Sequence, residues 1–354
     1  MKKLKLLNLL AILLVSLLVL ISCTDEEVAS DTEEPGQEQE GQNQIDVIVT
    51  MFTQYDFARQ VGGSHVNVSR LAPPGVDIHS FDPTPLDIVN INETDLFIYT
   101  GSDMEPWVGR ILDSLDNADL TILNVSTNIT MLPWYAGEDH EHYHDHEEEG
   151  EHHHDDHNGE NDHEHYHDHN EECDHSHGHG HFHNYDPHIW TSPINAIVMV
   201  RNIEDKLIAL MPEYADYFTQ NANDLVAELE DLDHDFREMV RDANRRVIYH
   251  AGRFALHYLM NEYDIDFVSA PMESDPDTAL VARMITEINE YDIPVIFHEE
   301  LVNPQTANMI AVETGALVLL LHTVHNVSTD EIATGETYVS LMRHNLEVLG
   351  LALN

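Results

Sequence analysis

Four histidines mark the positions where chemistry is expected. His79 lies in Pro73-Pro74-Gly75-Val76-Asp77-Ile78-His79-Ser80-Phe81-Asp82-Pro83, downstream of a short β-branched run, and His188 lies in Asp186-Pro187-His188-Ile189-Trp190. His250 and His322 close the runs Val247-Ile248-Tyr249-His250 and Leu319-Leu320-Leu321-His322. In open α/β sheets the loops at strand C-terminal ends are where ligands bind. A single histidine at such a place is ordinarily a surface or hydrogen-bonded residue; four that share it, two from each half of the chain, suggest convergence. Imidazole nitrogen suits borderline-soft divalent ions such as zinc, and four of them fill a tetrahedral shell. A filled shell leaves no position for a reactive water, so the pattern points to holding an ion and not to an enzyme. A zinc hydrolase needs an open position beside a general base, and no HExxH segment occurs. Protons compete for imidazoles of reference pKa about 6.5, so affinity is expected to fall below neutrality.

A second concentration of histidine is of another kind. Residues 138–183 hold 17 of the 27 histidines among Asp, Glu and Gly, with no apolar periodicity. The stretch includes His140, His142, His144, His146, His152, His153, His154, His163, His165, His167, His175, His177, His179 and His181. Such composition cannot bury a core and reads as a mobile loop. Many weak sites on one tether would raise the local metal concentration. Cys173 could add a soft ligand or pair between molecules.

The chain opens with a basic start, an apolar run from Leu6 to Ile21, and Ser22-Cys23, which reads as a signal peptide over residues 1–22. Residues 23–44 are an acidic, apolar-poor segment and should be a flexible tether. With two cysteines in all, stability must come from packed cores. A formal net charge of -51, with 15 Lys and Arg in all, excludes nucleic acid as a partner.

To bring the four histidines together, the chain needs strands with aligned ends. From Ile45 onward short β-branched runs alternate with longer amphipathic ones, the pattern of a parallel α/β sheet. The expected strands are Ile45–Thr50, Val66–Leu71, Asp95–Thr100 and Thr121–Val125, then Arg246–His250, Ile265–Ser269, Pro294–His298 and Ala316–Leu321. The expected fold is therefore α/β, with two lobes, each a four-stranded parallel sheet flanked by helices. Residues 45–192 make the first lobe, 193–242 the connecting helices and 243–354 the second. The connection breaks at Met211-Pro212, and its second part reads as one long rigid helix.

With these motifs in view, the stretch from Ile45 to Asn354, apart from the insert, resembles the cluster A-I solute-binding lipoproteins of bacterial metal ABC transporters, the zinc-type members of the cell adhesion family. The resemblance implies ligands at His79, His188 in the whole Asp-Pro-His-Ile-Trp motif, and His250, where manganese-type members tend to carry Glu. The fourth position departs from the family's acidic residue. His322 matches it, with water, His325, Glu299 and Glu300 as alternatives, and Glu299 could orient an imidazole. Leu20-Ile21-Ser22-Cys23 resembles a lipobox, which implies a lipid on Cys23. The implied function is capture of Zn2+ by a monomer anchored on the extracytoplasmic face of the cell membrane, for delivery to a cognate permease and its ATPase. The rivals are a manganese or iron protein of the same fold, and an extracellular zinc buffer or adhesin.

Overall fold

The computed structural model describes residues 44–134, 185–270 and 278–354, and residues 44–354 belong to one compact unit. The signal segment, the tether with Cys23, and the histidine-rich stretch 138–183 lie outside the described residues.

Eight strands form where the β-branched runs occur. β1 (Ile45–Val49), β2 (Val66–Arg70), β3 (Leu96–Tyr99) and β4 (Thr121–Asn124) make a parallel sheet in the order β2-β1-β3-β4. β5 (Val247–Ala251), β6 (Asp266–Ala270), β7 (Val295–His298) and β8 (Leu317–Leu320) make a second, in the order β6-β5-β7-β8. Each sheet changes direction of growth at its first strand, which opens a crevice at the strand C-terminal ends.

The helices, in chain order, are α1 (Phe52–Gly62), α2 (Pro85–Glu93), α3 (Val108–Leu112), α4 (Pro193–Leu210), α5 (Ala215–Arg241), α6 (His257–Tyr263), α7 (Thr278–Glu290), α8 (Gln305–Thr314), α9 (Thr329–Thr334) and α10 (Tyr338–Leu353). Their starts are written in the sequence. Thr84 and Asp87 form a capping box ahead of Pro85, Ser192 caps α4 ahead of Pro193, and Ser328 with Glu331 boxes α9. A single 3-10 turn at Pro212–Tyr214 separates α4 from α5 because proline cannot continue the hydrogen-bond ladder.

Strand alternation sorts the side chains into layers. Val47, Val49, Leu96 and Ile98 point to one face of the first sheet, while Ile48 and Phe97 pack on the other with Ile91, Trp107 and Ile111. In the second sheet Ile248, Val295 and Phe297 face inward, and Tyr249 and Ile296 face outward against Met284 and Ile310. The two inward faces share one hydrophobic cluster. It is continuous through Ile203 and Leu207 of α4, Phe218, Leu225, Leu229 and Phe236 of α5, and Leu349 of α10. At 27 residues α5 spans about 40 Å, and its apolar stripe is buried along both sheets. The connecting helix is therefore core.

Candidate metal centre

The loop after β2 carries His79 on a 3-10 turn, Ile78–Ser80, capped by the Asp77 side chain, which accepts the His79 N–H at 3.0 Å. That loop is fastened to the segment after β8: Asn326 Nδ2 donates to Pro73 O and Val76 O at 2.7 and 2.8 Å, and Gly75 N donates to Val327 O at 2.9 Å. Gly75 has φ +79, where a residue without Cβ is favoured.

His188 is fully buried. Asp186 Oδ1 accepts its backbone N–H at 2.9 Å and lies 2.6 Å from its Nδ1. The carboxylate therefore holds the proton on Nδ1 and leaves Nε2 with a bare lone pair. The other oxygen of Asp186 meets Nδ1 of His257 from α6. Burial would raise this carboxyl, but the hydrogen bonds from His188 and His257 overcome it and keep it well below the usual carboxylate range. Burial also depresses the His188 ring despite the carboxylate beside it. Tyr258 clamps the segment from the second half, donating to Asp186 O at 2.8 Å and accepting from Leu132 N at 2.9 Å.

His325 comes from the turn after β8. Its Nε2 lies 3.0 Å from Nε2 of His79, which is in turn 3.3 Å from Nε2 of His188. Among the described residues, His79, His188 and His325 form the one group of three or more whose ligand atoms all lie within 4.8 Å of one another. Donors about 2.0–2.1 Å from a tetrahedral zinc stand roughly 3.3–3.4 Å apart, close to both separations. His325 Nδ1 meets the Thr323 hydroxyl, which also bonds Glu300 Oε1, and that carboxylate oxygen lies 3.4 Å from the same Nδ1. Burial would raise Glu300, yet the His322 and His325 rings and the Thr323 hydroxyl hold it well below the usual range.

The turn carrying His325 is strained. Val324 is β-branched and sits at φ +59. Three distant groups hold it there: Thr53 Oγ1 donates to Val324 O at 2.8 Å, Trp190 Nε1 to Thr323 O at 2.8 Å, and Phe52 N to His325 O at 3.1 Å.

His322 is buried within the same turn but its ring has other neighbours. Nδ1 accepts the Val324 N–H at 2.9 Å, and Nε2 lies 3.4 Å from Glu331 Oε1 at the start of α9. Its backbone is bracketed by Asn345, which accepts its N–H and donates to its carbonyl, both at 2.7 Å. The ring acts on the turn, and the cluster is completed from the same loop by His325.

His250, one residue before the end of β5, is fully buried, and neither ring nitrogen makes a well-formed hydrogen bond. Its Nε2 faces Glu299 Oε2 at 3.8 Å, and burial pushes the ring down to about 4. Glu299 accepts the Arg253 N–H at 3.2 Å through Oε1, while Oε2 has no partner; burial pushes its carboxyl up to about 7.

Two other histidines have structural partners. His65 is 9 % exposed and stacks at 3.8 Å on Tyr214, in the turn before α5. His257 bonds Asp186.

Residues 47–352 match the family described as ZnuA, the zinc-uptake complex component A periplasmic. The chain is 31% identical over 314 residues to zinc-binding protein AdcA of Streptococcus pyogenes, covering 88% of this chain and 56% of that one. It thus spans just over half the length of these streptococcal relatives. It is 28% identical over 310 residues to the high-affinity zinc uptake system protein ZnuA of Bacillus subtilis, covering 87% of each. The crystal structure of the metal-dependent lipoprotein YcdH from Bacillus subtilis superposes with a TM-score of 0.68 at 26% identity, covering 88% of this chain and 99% of that one. The Zn(II)-bound ZnuA-like domain of Streptococcus pneumoniae AdcA has the same fold, with a TM-score of 0.68 at 23% identity and coverage of 88% and 99%. With a match that takes in both sheets, the connecting helices and every histidine of the cluster, the chain belongs to the ZnuA family of zinc-uptake components.

Proposed function

We propose that the chain is the extracytoplasmic zinc-capture component of an ABC importer, holding Zn2+ between the two sheets and delivering it to a membrane permease driven by an ATPase. One observation carries this reading: three imidazole Nε2 atoms, drawn from the loop after β2, the segment before α4 and the turn after β8, stand at separations suited to a tetrahedral ion. His79, His188 and His325 are the ligands, and His250, a buried imidazole without a well-formed hydrogen bond, moves in as the fourth. Neutral imidazole favours zinc over manganese, which prefers oxygen. A shell of four leaves no position for a catalytic water, which is why the reading is a carrier.

The names of the relatives, zinc-binding protein AdcA and high-affinity zinc uptake system protein ZnuA, support zinc as cargo. A lipid on Cys23 would anchor a monomer to the outer face of the membrane, with residues 23–44 as the tether between that lipid and the first lobe. Residues 138–183 gather metal for the cleft. The test is metal analysis of a chain lacking residues 138–183, with anomalous scattering at the zinc edge. One tightly held zinc per chain, within about 2.1 Å of His79, His188 and His325, is expected. Loss of all tight binding on deletion would instead favour an extracellular zinc buffer.

A further inference from the structure

A cleft of about 160 Å³ is lined by Asp77, Arg253, Glu299, Glu300, Thr323 and, from the cluster, His325, among others. At its mouth Arg253 and Asp77 are each about half exposed and 3.5 Å apart, one from each half of the chain. Glu299 lines the same cleft. Its side chain is 12% exposed, one oxygen is tied to the backbone of Arg253, and the other has no hydrogen-bond partner. Nε2 of His250, itself buried and without a well-formed hydrogen bond, lies 3.8 Å from that oxygen. A buried oxygen and a buried imidazole nitrogen, each without a hydrogen-bond partner and 3.8 Å apart, each carry a desolvation cost that no hydrogen bond to that atom offsets.

The chain also makes room for this arrangement. A Cβ built on Gly252 would lie 1.8 Å from Glu299 Oε2, so the carboxylate occupies space that only glycine leaves open. Gly252 does not have a positive φ, so the close approach is the reason for glycine here.

We infer that Glu299 and His250 form a two-donor transfer site, separate from the three-histidine cluster, which takes the hydrated zinc ion at the cleft wall and passes it inward. Oε2 replaces a water of the aquo ion, His250 replaces a second, and the ion then exchanges the carboxylate for the Nε2 atoms of the cluster while His250 stays bound. On release the steps run in reverse. This inference rests on the zinc-capture reading. A transfer ligand lowers the barrier between outside and inside without being a lasting partner, so its removal slows capture and release alike.

The experiment is stopped-flow measurement of Zn2+ association, and of dissociation into an excess of chelator, on the full chain and its Glu299→Gln and Gly252→Ala variants. The second variant keeps the carboxylate's charge and displaces it. Both variants are expected to lose about tenfold in both rate constants, with Kd changed by less than about threefold. Unchanged rates in both variants would overturn the transfer role, and so would a weaker Kd arising from faster release alone, which marks a standing ligand or a positioning group. If the wild-type chain takes no zinc in the cleft, it is the zinc-capture reading that fails, and the variants are not needed to show it. Circular dichroism and thermal midpoints of the variants separate misfolding from altered kinetics. Should both variants prove misfolded, Glu299→Asp, which shortens the reach and keeps the charge, must show the same paired slowing or the role is rejected.

Discussion

The Nε2 atoms of His79 and His325 come within 3.0 Å of each other although 246 positions separate them in the chain. The contact joins the loop after β2 to the turn after β8, and His188 closes the group from the segment before α4. Each histidine has a neighbour that holds it: Asp77 caps the turn of His79, Asp186 meets Nδ1 of His188, and Thr323 and Glu300 back His325.

Two histidines three residues apart should therefore behave differently when removed. His325→Ala deletes a donor of the cluster and is expected to weaken zinc binding by about 100-fold or more, beyond the usual effect of a supporting group. His322→Ala leaves the Val324 N–H buried without its acceptor, a loss of about 1–3 kcal/mol in stability. Its zinc affinity should stay within about tenfold of the parent. Competition with a chromophoric chelator and denaturant unfolding measure the pair, and the reverse pattern would make His322 the donor.

Asp186 serves two rings at once, so replacing it has a defined cost. Asp186→Asn keeps the volume but leaves one acceptor oxygen where the Nδ1 atoms of His188 and His257 each meet an oxygen now. His188 then loses its fixed tautomer, and zinc affinity should fall about 10–100-fold with the number of bound imidazoles unchanged. Titration calorimetry gives the first quantity and X-ray absorption the second. A variant that binds as tightly as the parent would remove Asp186 from the design of the site.

Much of this was legible before any coordinates. The alternation of Val47, Ile48 and Val49, repeated in Leu96, Phe97 and Ile98, announces strands with two buried faces, and Met211-Pro212 announces the break between α4 and α5. Strand ends then mark His79 and His250 as candidates. What could not be read is which imidazole of Leu321-His322-Thr323-Val324-His325 meets the others. That choice is made by Val324 at φ +59, a conformation its own side chain disfavours, and the groups enforcing it are Thr53, Trp190 and Phe52, far away in sequence. The same holds for His65, whose burial depends on Tyr214 arriving from the turn before α5.

Gly62 offers a test of packing that leaves the cluster alone. It ends α1, and a Cβ there would stand 2.3 Å from Val66 Cγ1 at the start of β2. A β-branched side chain has little rotamer freedom with which to yield. Gly62→Ala should thus cost about 1–3 kcal/mol of stability through overpacking, with zinc affinity unchanged. A denaturant midpoint equal to the parent's would show that the junction of α1 and β2 relaxes freely.

The pH dependence follows from burial. An imidazole in water titrates near 6.5, which on sequence grounds alone predicts that affinity falls below neutrality. Burial pushes His250 down to about 4 and lowers His188 below its ordinary value, which weakens proton competition at these two rings. Between about 4 and 6.5 the unfolded chain binds a proton at His250 that the folded chain does not, so stability rises with pH across that window. The contribution is fully present above about 6.5 and is lost as the pH falls through about 4; at His250 alone it amounts to about 3 kcal/mol. Titration of the His250 ring by NMR in the zinc-free chain reads the midpoint directly, and His250→Gln should flatten the matching part of the stability curve. A midpoint near 6.5 would mean that water reaches the ring.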